Sequence, residues 1–268
     1  MTVSILGCGW FGFALAKSLL QEGVAVKGST TSKSKLSELV DVGIIPFLIQ
    51  IDQNAGESNP DFFDCDLLVV CIPPQIKAEE GELFLQKINN IISAINQYQI
   101  SKVIYISTTG VYGDLGIEVN ENSDPQPDTE NGKLLLQAEL IFQSQPNFKT
   151  TIVRFGGLVG PGRHPGRFFA GKKDIANGKA PVNLIHQVDA VGVVMAIVKG
   201  QYFGQVFNGC SPDHPSRSDF YTGAARQGGF EIPEFKDELK GWKIVSSTKV
   251  SELLDYEFKV KDWLNCQF

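Results

Sequence analysis

The chain reads Val3-Ser4-Ile5-Leu6-Gly7-Cys8-Gly9-Trp10-Phe11-Gly12 near its start, and this stretch decides the fold. It places the spacing G-x-G-x-x-G between a short apolar segment and the helix-favouring residues 13–20. In such a setting the first glycine allows a tight turn, the second lets the backbone approach a pyrophosphate, and the third lets the helix pack on the strand. The amide groups and positive dipole end of the helix then bind the phosphates. The motif predicts a dinucleotide site, with a purely structural turn as the alternative, and the predicted contacts are Gly7, Gly9, Trp10, Phe11 and Gly12.

The segment after the second apolar stretch indicates which dinucleotide is bound. An NAD-preferring site usually has Asp or Glu about 20 residues after the glycines, where it binds the ribose hydroxyls. This chain reads Gly28-Ser29-Thr30-Thr31-Ser32-Lys33-Ser34-Lys35 instead, and its hydroxyls and cations suit a 2′-phosphate that Asp would repel. The simpler alternative is that Ser32 caps the next helix and both lysines are solvated. We expect NADP rather than NAD, and the remaining predicted contacts are Thr30, Thr31, Ser32, Lys35, Cys71, Ile72 and Pro73.

The composition is that of a folded protein. The chain has 268 residues, enough for one large domain or two modest ones. Its net charge of −6 disfavours binding to nucleic acid or to anionic membranes. Its apolar runs are much shorter than the roughly 18 residues of a membrane span, so we expect a cytoplasmic protein. The five cysteines lack C-x-x-C spacing, which predicts a reducing compartment and no metal site.

Short apolar segments alternate with longer amphipathic ones through the first 155 residues. This is the pattern of parallel strands joined by helices. The predicted strands are residues 3–6, 24–28, 44–48, 67–72, 103–107 and 151–155. Between the fourth and the fifth, apolar side chains recur at helical spacing, which predicts a long helix over residues 79–98.

The texture of the sequence changes after Phe155. Glycine and proline become frequent, which predicts a smaller, irregular lobe over residues 156–268. A helix at 189–199 and a strand at 205–208 are expected to return the chain to the sheet. The first domain is therefore expected to comprise residues 1–155, together with 186–209.

Three later segments resemble those of one protein family. They are Ser107-Thr108-Thr109-Gly110-Val111-Tyr112-Gly113, Arg154-Phe155-Gly156-Gly157-Leu158-Val159-Gly160-Pro161-Gly162-Arg163 and Ile185-His186-Gln187-Val188-Asp189. With the glycine loop they make the chain similar to an atypical extended short-chain dehydrogenase/reductase of the NAD-dependent epimerase/dehydratase family. The resemblance implies an α/β fold with a Rossmann-type doubly wound parallel sheet and a small C-terminal substrate lobe. It also implies an NAD(P) cofactor and a small polar substrate such as a sugar or nucleotide-sugar.

The resemblance implies a catalytic set that this sequence matches only in part. The Ser or Thr that polarises the substrate oxygen in the family falls on Thr108, with Ser107 beside it. The family's Tyr-x-x-x-Lys motif should lie on a helix over residues 129–143. There the landmark Ala138-Glu139 places Asn131 at the Tyr position and Leu135 at the Lys position.

A second register of that helix is open at this point. Shifting by two residues places Thr129 and Lys133 at the two positions, which keeps a lysine but turns the helix by about 200°. Neither register supplies the tyrosine. A phenol with a pKa near 10 can be tuned to move a proton near neutral pH, whereas an amide can only hydrogen-bond.

Two functions of different kinds therefore remain open. In the first, an enzyme transfers hydride between NAD(P) and the substrate, with Thr108 and Ser107 polarising the reacting oxygen and Tyr112 or a water moving the proton. In the family that tyrosine usually packs or contacts substrate. In the second, the protein is a non-catalytic NADP(H)-binding sensor or scaffold.

Other charged residues carry weaker predictions. His186 is expected to be structural, with Asp189 capping the following helix. Arg163 and Arg167 flank His164, which suits an anionic substrate, with a solvated loop as the alternative. The protein is expected to be a monomer or a homodimer, because many family members pair through the helices matching residues 79–98 and 130–143.

Overall fold

The structure is a computed structural model that describes residues 1–51, 59–72 and 81–268. The described strands are β1 (Thr2–Leu6), β2 (Ala25–Thr30), β3 (Ile45–Leu48), β4 (Leu67–Val70), β5 (Lys102–Thr108), β6 (Ile117–Val119), β7 (Lys149–Phe155), β8 (Gly157–Val159), β9 (Leu184–His186), β10 (Val206–Gly209) and β11 (Lys243–Val245). The described α-helices are α1 (Trp10–Gln21), α2 (Leu36–Asp41), α3 (Pro60–Phe63), α4 (Gly81–Gln97), α5 (Glu130–Gln143), α6 (Gln187–Gly200), α7 (Arg217–Gln227) and α8 (Thr248–Leu253).

The main sheet has seven strands in the order β10-β7-β5-β4-β1-β2-β3. The pairs β1–β2, β1–β4, β2–β3 and β4–β5 are parallel, and Ile5 lies opposite Gly28 on one side and Val69 on the other. The chain builds outward through β2 and β3 and then returns to place β4 on the far side of β1. Such a switch point opens a crevice at the carboxyl ends of the strands. The doubly wound parallel sheet predicted from the sequence is confirmed.

The strands are apolar because the helices cover both faces of a parallel sheet. All four residues of β4 are fully buried, as are Val3 and Ile5 of β1. All six predicted strands are present, and each end lies within two residues of its predicted position. The predicted strand over 205–208 and helix over 189–199 correspond to β10 and α6.

Helix α4 is amphipathic and buries one apolar side. Phe84, Ile88, Ile91 and Ile95 recur every three or four residues and are all buried. The predicted helix over 79–98 is confirmed from residue 81 onward, while 79 and 80 lie outside the described residues. Within the described ranges, the helices include none that is long and apolar enough to span a membrane.

The chain divides into two compact units. The first contains residues 1–108, 129–153 and 194–206, and the second contains residues 109–128, 154–193 and 207–268. The sequence instead led us to expect 109–128, 154–155, 186–193 and 207–209 in the first domain. Residues 117–119 form β6, which pairs in parallel with β11 in the second unit. Pairing between segments so distant in sequence leaves no local pattern.

The second unit contains its own small core. Its buried members are Val159, Val182, Leu184, Phe220 and Trp263. The rings of Phe220 and Trp263 pack edge to face with their centroids 5.9 Å apart, an arrangement that aromatic pairs prefer.

Asp189 fastens the C-terminal segment of the second unit. The prediction that it caps the following helix is wrong, because α6 already begins at Gln187. The Asp189 carboxylate is fully buried and accepts hydrogen bonds from the Tyr256 hydroxyl (2.8 Å) and the amides of Lys259 (2.7 Å) and Val260 (3.0 Å). Burial, together with this carboxylate, raises the pKa of the Tyr256 phenol, so the phenol stays protonated and donates. His186 has the expected structural contact, since its Nδ1 accepts from the Val188 amide at 3.2 Å.

Replacing Asp189 with Asn is expected to lower the free energy of unfolding by about 3 kcal/mol. One acceptor oxygen becomes an NH2 group, and a buried amide then loses its charged partner. The measurement is urea-induced unfolding.

The control is Asp255→Asn, which makes the same chemical change at an exposed site where Asn tolerates the positive φ of 49°. The control should change stability by less than about 0.5 kcal/mol. Equal losses in the two variants would contradict the role given to the Asp189 carboxylate.

Candidate functional site

A cleft of about 520 Å³ opens in the first unit at the carboxyl ends of β1, β2 and β4. We call it the glycine cleft. Its lining residues are Leu6, Gly7, Cys8, Gly9, Ser29, Thr30, Thr31, Lys35, Ile49, Ile51, Cys71, Ile72, Leu83, Phe84 and Lys87. The volume is within the usual range for small-molecule sites, which are mostly apolar with a few placed polar groups.

The glycine loop needs its glycines at two close approaches. Gly7 has a φ of +103°, and a Cβ there would lie 3.0 Å from the Cys71 carbonyl oxygen. A Cβ on Gly12 would strike the Gly7 carbonyl oxygen and lie 3.2 Å from Ile5 Cγ2. The start of α1 is therefore pressed against β1, and larger residues at either position would push the loop out of the crevice.

Ser29 in β2 fixes the loop from the other side. Its Oγ accepts a hydrogen bond from the Gly7 amide at 2.9 Å, and its carbonyl accepts one from the Cys8 amide at 2.8 Å. Ser29 is 2% exposed, so water does not compete for these bonds. The sequence analysis did not assign Ser29, although it lies directly before the predicted contact Thr30.

Helix α1 begins at the floor of the cleft. Gly9 is its N-cap, and the first turn, Trp10 to Gly12, contains no acidic residue. A Cβ built on Gly9 meets no atom of the described structure within 4 Å, so this side of the loop is open. An open backbone beside a helix N-terminus fits a phosphate group. Trp10, Phe11 and Gly12 thus form the first turn of α1 and are not among the lining residues. From the loop itself, residues 7–9 line the cleft.

The segment after β2 contributes hydroxyls and one cation. Thr30, Thr31 and Lys35 line the cleft. Ser32 is not among the lining residues, and its Oγ bonds to Ser34 Oγ at 2.8 Å. Ser32 occupies an N-cap position but makes no side-chain capping bond. The described lining contains lysine but no carboxylate, which suits an anionic ligand.

The end of β4 contributes Cys71 and Ile72 to the lining. Pro73, which the sequence analysis placed in the same site, lies outside the described residues. Burial raises the pKa of the Cys8 thiol to about 12, so this thiol stays neutral. Cys8 packs under β2, where a Cβ on Gly28 would lie 2.6 Å from its Sγ.

Eight lining residues were missed from the sequence. They are Leu6 and Cys8 beside the first glycine, Ser29 in β2, Ile49 and Ile51 after β3, and Leu83, Phe84 and Lys87 on α4. The available signal was the spacing on α4, since residues three and four apart share one face of a helix. Nothing in that spacing says which face meets the cleft.

Thr108 ends β5, and Ser107 precedes it in the buried part of the strand. The Ser107 hydroxyl donates to Glu139 Oε1 on α5 at 2.5 Å. Glu139 is fully buried and Ser107 is 6% exposed. A serine has a single hydroxyl proton to donate, and Ser107 uses it in the hydrogen bond to Glu139. The next hydroxyl along the strand is that of half-buried Thr108.

The contact with Ser107 also sets which side of α5 faces β5. Leu135 lies one turn before Glu139 and is buried, whereas Asn131 is exposed. Lys133 lies about 200° around the helix from Leu135 and pairs with Glu130 at 2.7 Å on the exposed side. Thr129 is the N-cap and accepts from the Gly132 amide. The register with Asn131 and Leu135 is the one that matches Glu139.

Tyr112 lies in the second unit and is 1% exposed. Its hydroxyl accepts from Arg154 Nη1 at 2.7 Å and has two acceptors in reach, the Asn120 carbonyl (3.0 Å) and Asn208 Oδ1 (3.1 Å). Burial raises the pKa of the phenol, and the Arg154 guanidinium offsets part of that rise. Through these contacts Tyr112 holds three segments of the second unit together, which is a structural role.

The loop with Arg163, His164 and Arg167 also lies in the second unit. His164 Nδ1 accepts from the Gly166 amide at 3.0 Å, and the Arg167 guanidinium lies 5.5 Å from the centre of the Phe230 ring. Burial and the charge of Arg167 lower the pKa of His164. Across the described ranges, no three His, Cys, Asp or Glu residues are placed to hold a metal ion.

The sheet with its glycine loop at the β1–α1 turn defines a Rossmann-type α/β protein. The chain belongs to the NAD dependent epimerase/dehydratase family, whose model matches residues 3–191. The family expected from the sequence is confirmed.

One relative and two solved structures are similar to nearly the whole chain. Protein YeeZ of Escherichia coli (strain K12) is 34% identical over 266 residues, covering 97% of this chain and 96% of that protein. The UDP-glucuronic acid 4-epimerase of Bacillus cereus, solved in complex with NAD, superposes with a TM-score of 0.81 at 18% identity, covering 98% of this chain and 96% of that one. A conserved protein from Silicibacter pomeroyi DSS superposes with a TM-score of 0.80 at 23% identity, covering 98% and 95%.

Replacing Ser29 with Ala is expected to lower the free energy of unfolding by about 1–3 kcal/mol, because the Gly7 amide loses its acceptor. The matched control is Ser32→Ala, which removes a hydroxyl just beyond the end of β2 and should stay within about 0.5 kcal/mol of the parent. Urea titration measures both. A Ser29→Ala protein as stable as the control would contradict the role of Ser29 in fixing the glycine loop, which we call the Ser29 clamp.

Ser107 and Glu139 are expected to be energetically coupled. In a double-mutant cycle of Ser107→Ala and Glu139→Ala, the stability losses should fail to add by at least about 1 kcal/mol, because each change removes one partner of the same buried bond. The control cycle uses Ser216 and Asp219, an exposed serine–carboxylate pair at 2.7 Å, where solvent should make the coupling smaller. Additive losses at Ser107 and Glu139 would contradict the pairing.

Proposed function

We propose that this protein binds a pyridine dinucleotide in the glycine cleft and is an NAD(P)-dependent oxidoreductase or epimerase-like enzyme. The observation that carries the proposal is the clamped glycine loop. Ser29 fixes the Gly7 and Cys8 amides, while on the open side of the loop a methyl group added at Gly9 would meet no described protein atom within 4 Å. Membership in the family supports the cofactor class.

We further propose NADP as the preferred cofactor. Thr30, Thr31 and Lys35 line the part of the cleft that follows β2, and the described lining contains no carboxylate that would repel a 2′-phosphate. NAD is the nucleotide named in the solved Bacillus cereus epimerase complex. The proposed preference therefore rests on this chain's own residues.

Thr108 is the proposed hydroxyl for the reacting oxygen. The nicotinamide, when bound, exchanges hydride with a substrate carbon. Thr108 would donate a hydrogen bond to the oxygen on that carbon, and Ser107 would hold the end of β5 through Glu139. Because the Tyr112 hydroxyl is buried and engaged by Arg154, water is the proposed proton carrier.

The proposed substrate is a small polar molecule, with a sugar or nucleotide-sugar as the leading class. UDP-glucuronic acid 4-epimerase and dTDP-glucose 4,6-dehydratase are among the proteins with similar folds. Arg163 and Arg167 in the second unit would bind an anionic substrate group. We also propose a cytoplasmic location and a monomeric or homodimeric state, and the five unbridged cysteines support a reducing compartment.

A second candidate function is a non-catalytic NADP(H) sensor or scaffold. Specific observations favour it, namely exposed Asn131 and buried Leu135 at the positions where the family has Tyr and Lys. An amide does not ionise near neutral pH and so cannot act as a general acid or base, and an aliphatic side chain cannot lower the pKa of a neighbour.

Thermal unfolding tests cofactor binding. NADP at about a hundred times its Kd should stabilise the folded state by about 2.7 kcal/mol and raise the melting temperature by several degrees. Gly9→Ala should abolish this shift, because its φ of −80° admits alanine while the methyl group occupies the open side of the loop. Gly223→Ala is the control, since a Cβ there also meets nothing within 4 Å. Equal shifts in both variants, or none in the parent, would overturn the proposal.

Loss of absorbance at 340 nm, together with chromatography of the panel compounds for epimerised or dehydrated product, distinguishes an enzyme from a sensor. The second readout is needed because an epimerase returns its hydride and leaves the cofactor unchanged. With NADPH and a panel of carbonyl sugars and nucleotide-sugars, turnover that falls at least about tenfold in Thr108→Val supports the enzyme, because one oxygen-polarising hydrogen bond is lost. NADPH binding without turnover of any panel member supports the sensor.

A further inference from the structure

Two lysines from separate parts of the first unit line the glycine cleft. Lys35 ends the short 3-10 turn after β2, and Lys87 lies in the second turn of α4. Across the described part of the chain, neither lysine has a carboxylate within ion-pair distance, unlike Lys133 with Glu130 or Lys243 with Asp114. The cleft therefore receives two positive charges that the described protein does not neutralise.

The packing of α4 holds Lys87 at the cleft. Phe84 and Ile88 are 6% and 1% exposed, so this side of the helix faces the protein interior. Leu83, one turn before Lys87, is 38% exposed and also lines the cleft. Since residues four apart share a face of a helix, the apolar Leu83 side chain and the cationic Lys87 side chain both face the cleft.

A single cation is enough for a monoanionic group, but a phosphate monoester is close to dianionic at neutral pH. The diphosphate has the amides of α1 as its partners, and adenine is neutral. We propose that Lys35 and Lys87 together bind the 2′-phosphate of NADP, so that Lys87 is a specificity-determining residue on α4. This inference rests on the proposed binding of the dinucleotide in the glycine cleft.

Calorimetric titration of NADP and NAD into the parent, Lys87→Gln and Lys35→Gln tests the pair. Each variant should lose at least about tenfold in affinity for NADP, the usual effect of removing a charge-assisted hydrogen bond, and keep its affinity for NAD within about twofold. Adenosine 2′,5′-bisphosphate and 5′-AMP, titrated in the same way, should show the same difference. Raising the salt concentration should narrow it.

The controls separate a specific contact from general charge. Lys33→Gln removes the same charge from an exposed site in the same turn and should change both affinities by less than about threefold. Lys87→Arg should restore the preference for NADP. The melting temperature without nucleotide shows whether each variant is folded.

The outcomes distinguish this inference from the proposed function. Equal losses of NADP and NAD affinity in Lys87→Gln, or no loss, would overturn the role of Lys87 while leaving dinucleotide binding in place. Equal binding of NADP and NAD by the parent would do the same. A parent that binds neither nucleotide would overturn both.

Discussion

The structure depends on how closely the turn between β1 and α1 approaches its neighbours. Gly7 passes within contact distance of the Cys71 carbonyl, and Ser29 binds the amides of Gly7 and Cys8 from β2. The loop is thus fixed by the strands on both sides of β1, the same strands between which the sheet order reverses. A crevice at such a switch point exists in any doubly wound sheet. In this protein the hydrogen bonds from Ser29 fix the orientation of the loop backbone at the bottom of the crevice, and the loop is open on the side of Gly9.

In the first unit, a buried contact joins helix α5 to strand β5. Glu139 binds the strand that carries Thr108, through Ser107, and this contact fixes the face of α5 turned toward the strand. The resemblance of the sequence to its family places Asn131 and Leu135 of this helix at the positions of the family's Tyr and Lys. Buried contacts hold a helix in place regardless of what its first turns carry, so the fold alone does not decide whether the protein is catalytic.

In the second unit, polar residues from the family-like segments serve to hold backbone. Asp189 binds the segment around Lys259 and Val260, and Tyr112 joins Arg154 to residues 120 and 208. A buried carboxylate or guanidinium is costly unless its hydrogen bonds are made. These residues are therefore tied to fixed partners, which limits their freedom to act on a ligand.

The sequence by itself determined the elements that arise from local periodicity and local turn chemistry. The strands, the long helix α4 and the glycine loop were predicted from spacing alone, because alternation, helical period and glycine position act within a few residues. Tertiary structure decided what depends on contacts between distant segments: the Ser29 clamp, the pairing of Ser107 with Glu139, and the partners of Asp189, which was wrongly assigned as a helix cap. It also decided that Lys87 faces the cleft. Helical spacing defines a face, but the burial of Phe84 and Ile88 in the tertiary structure decides which side of the helix points inward.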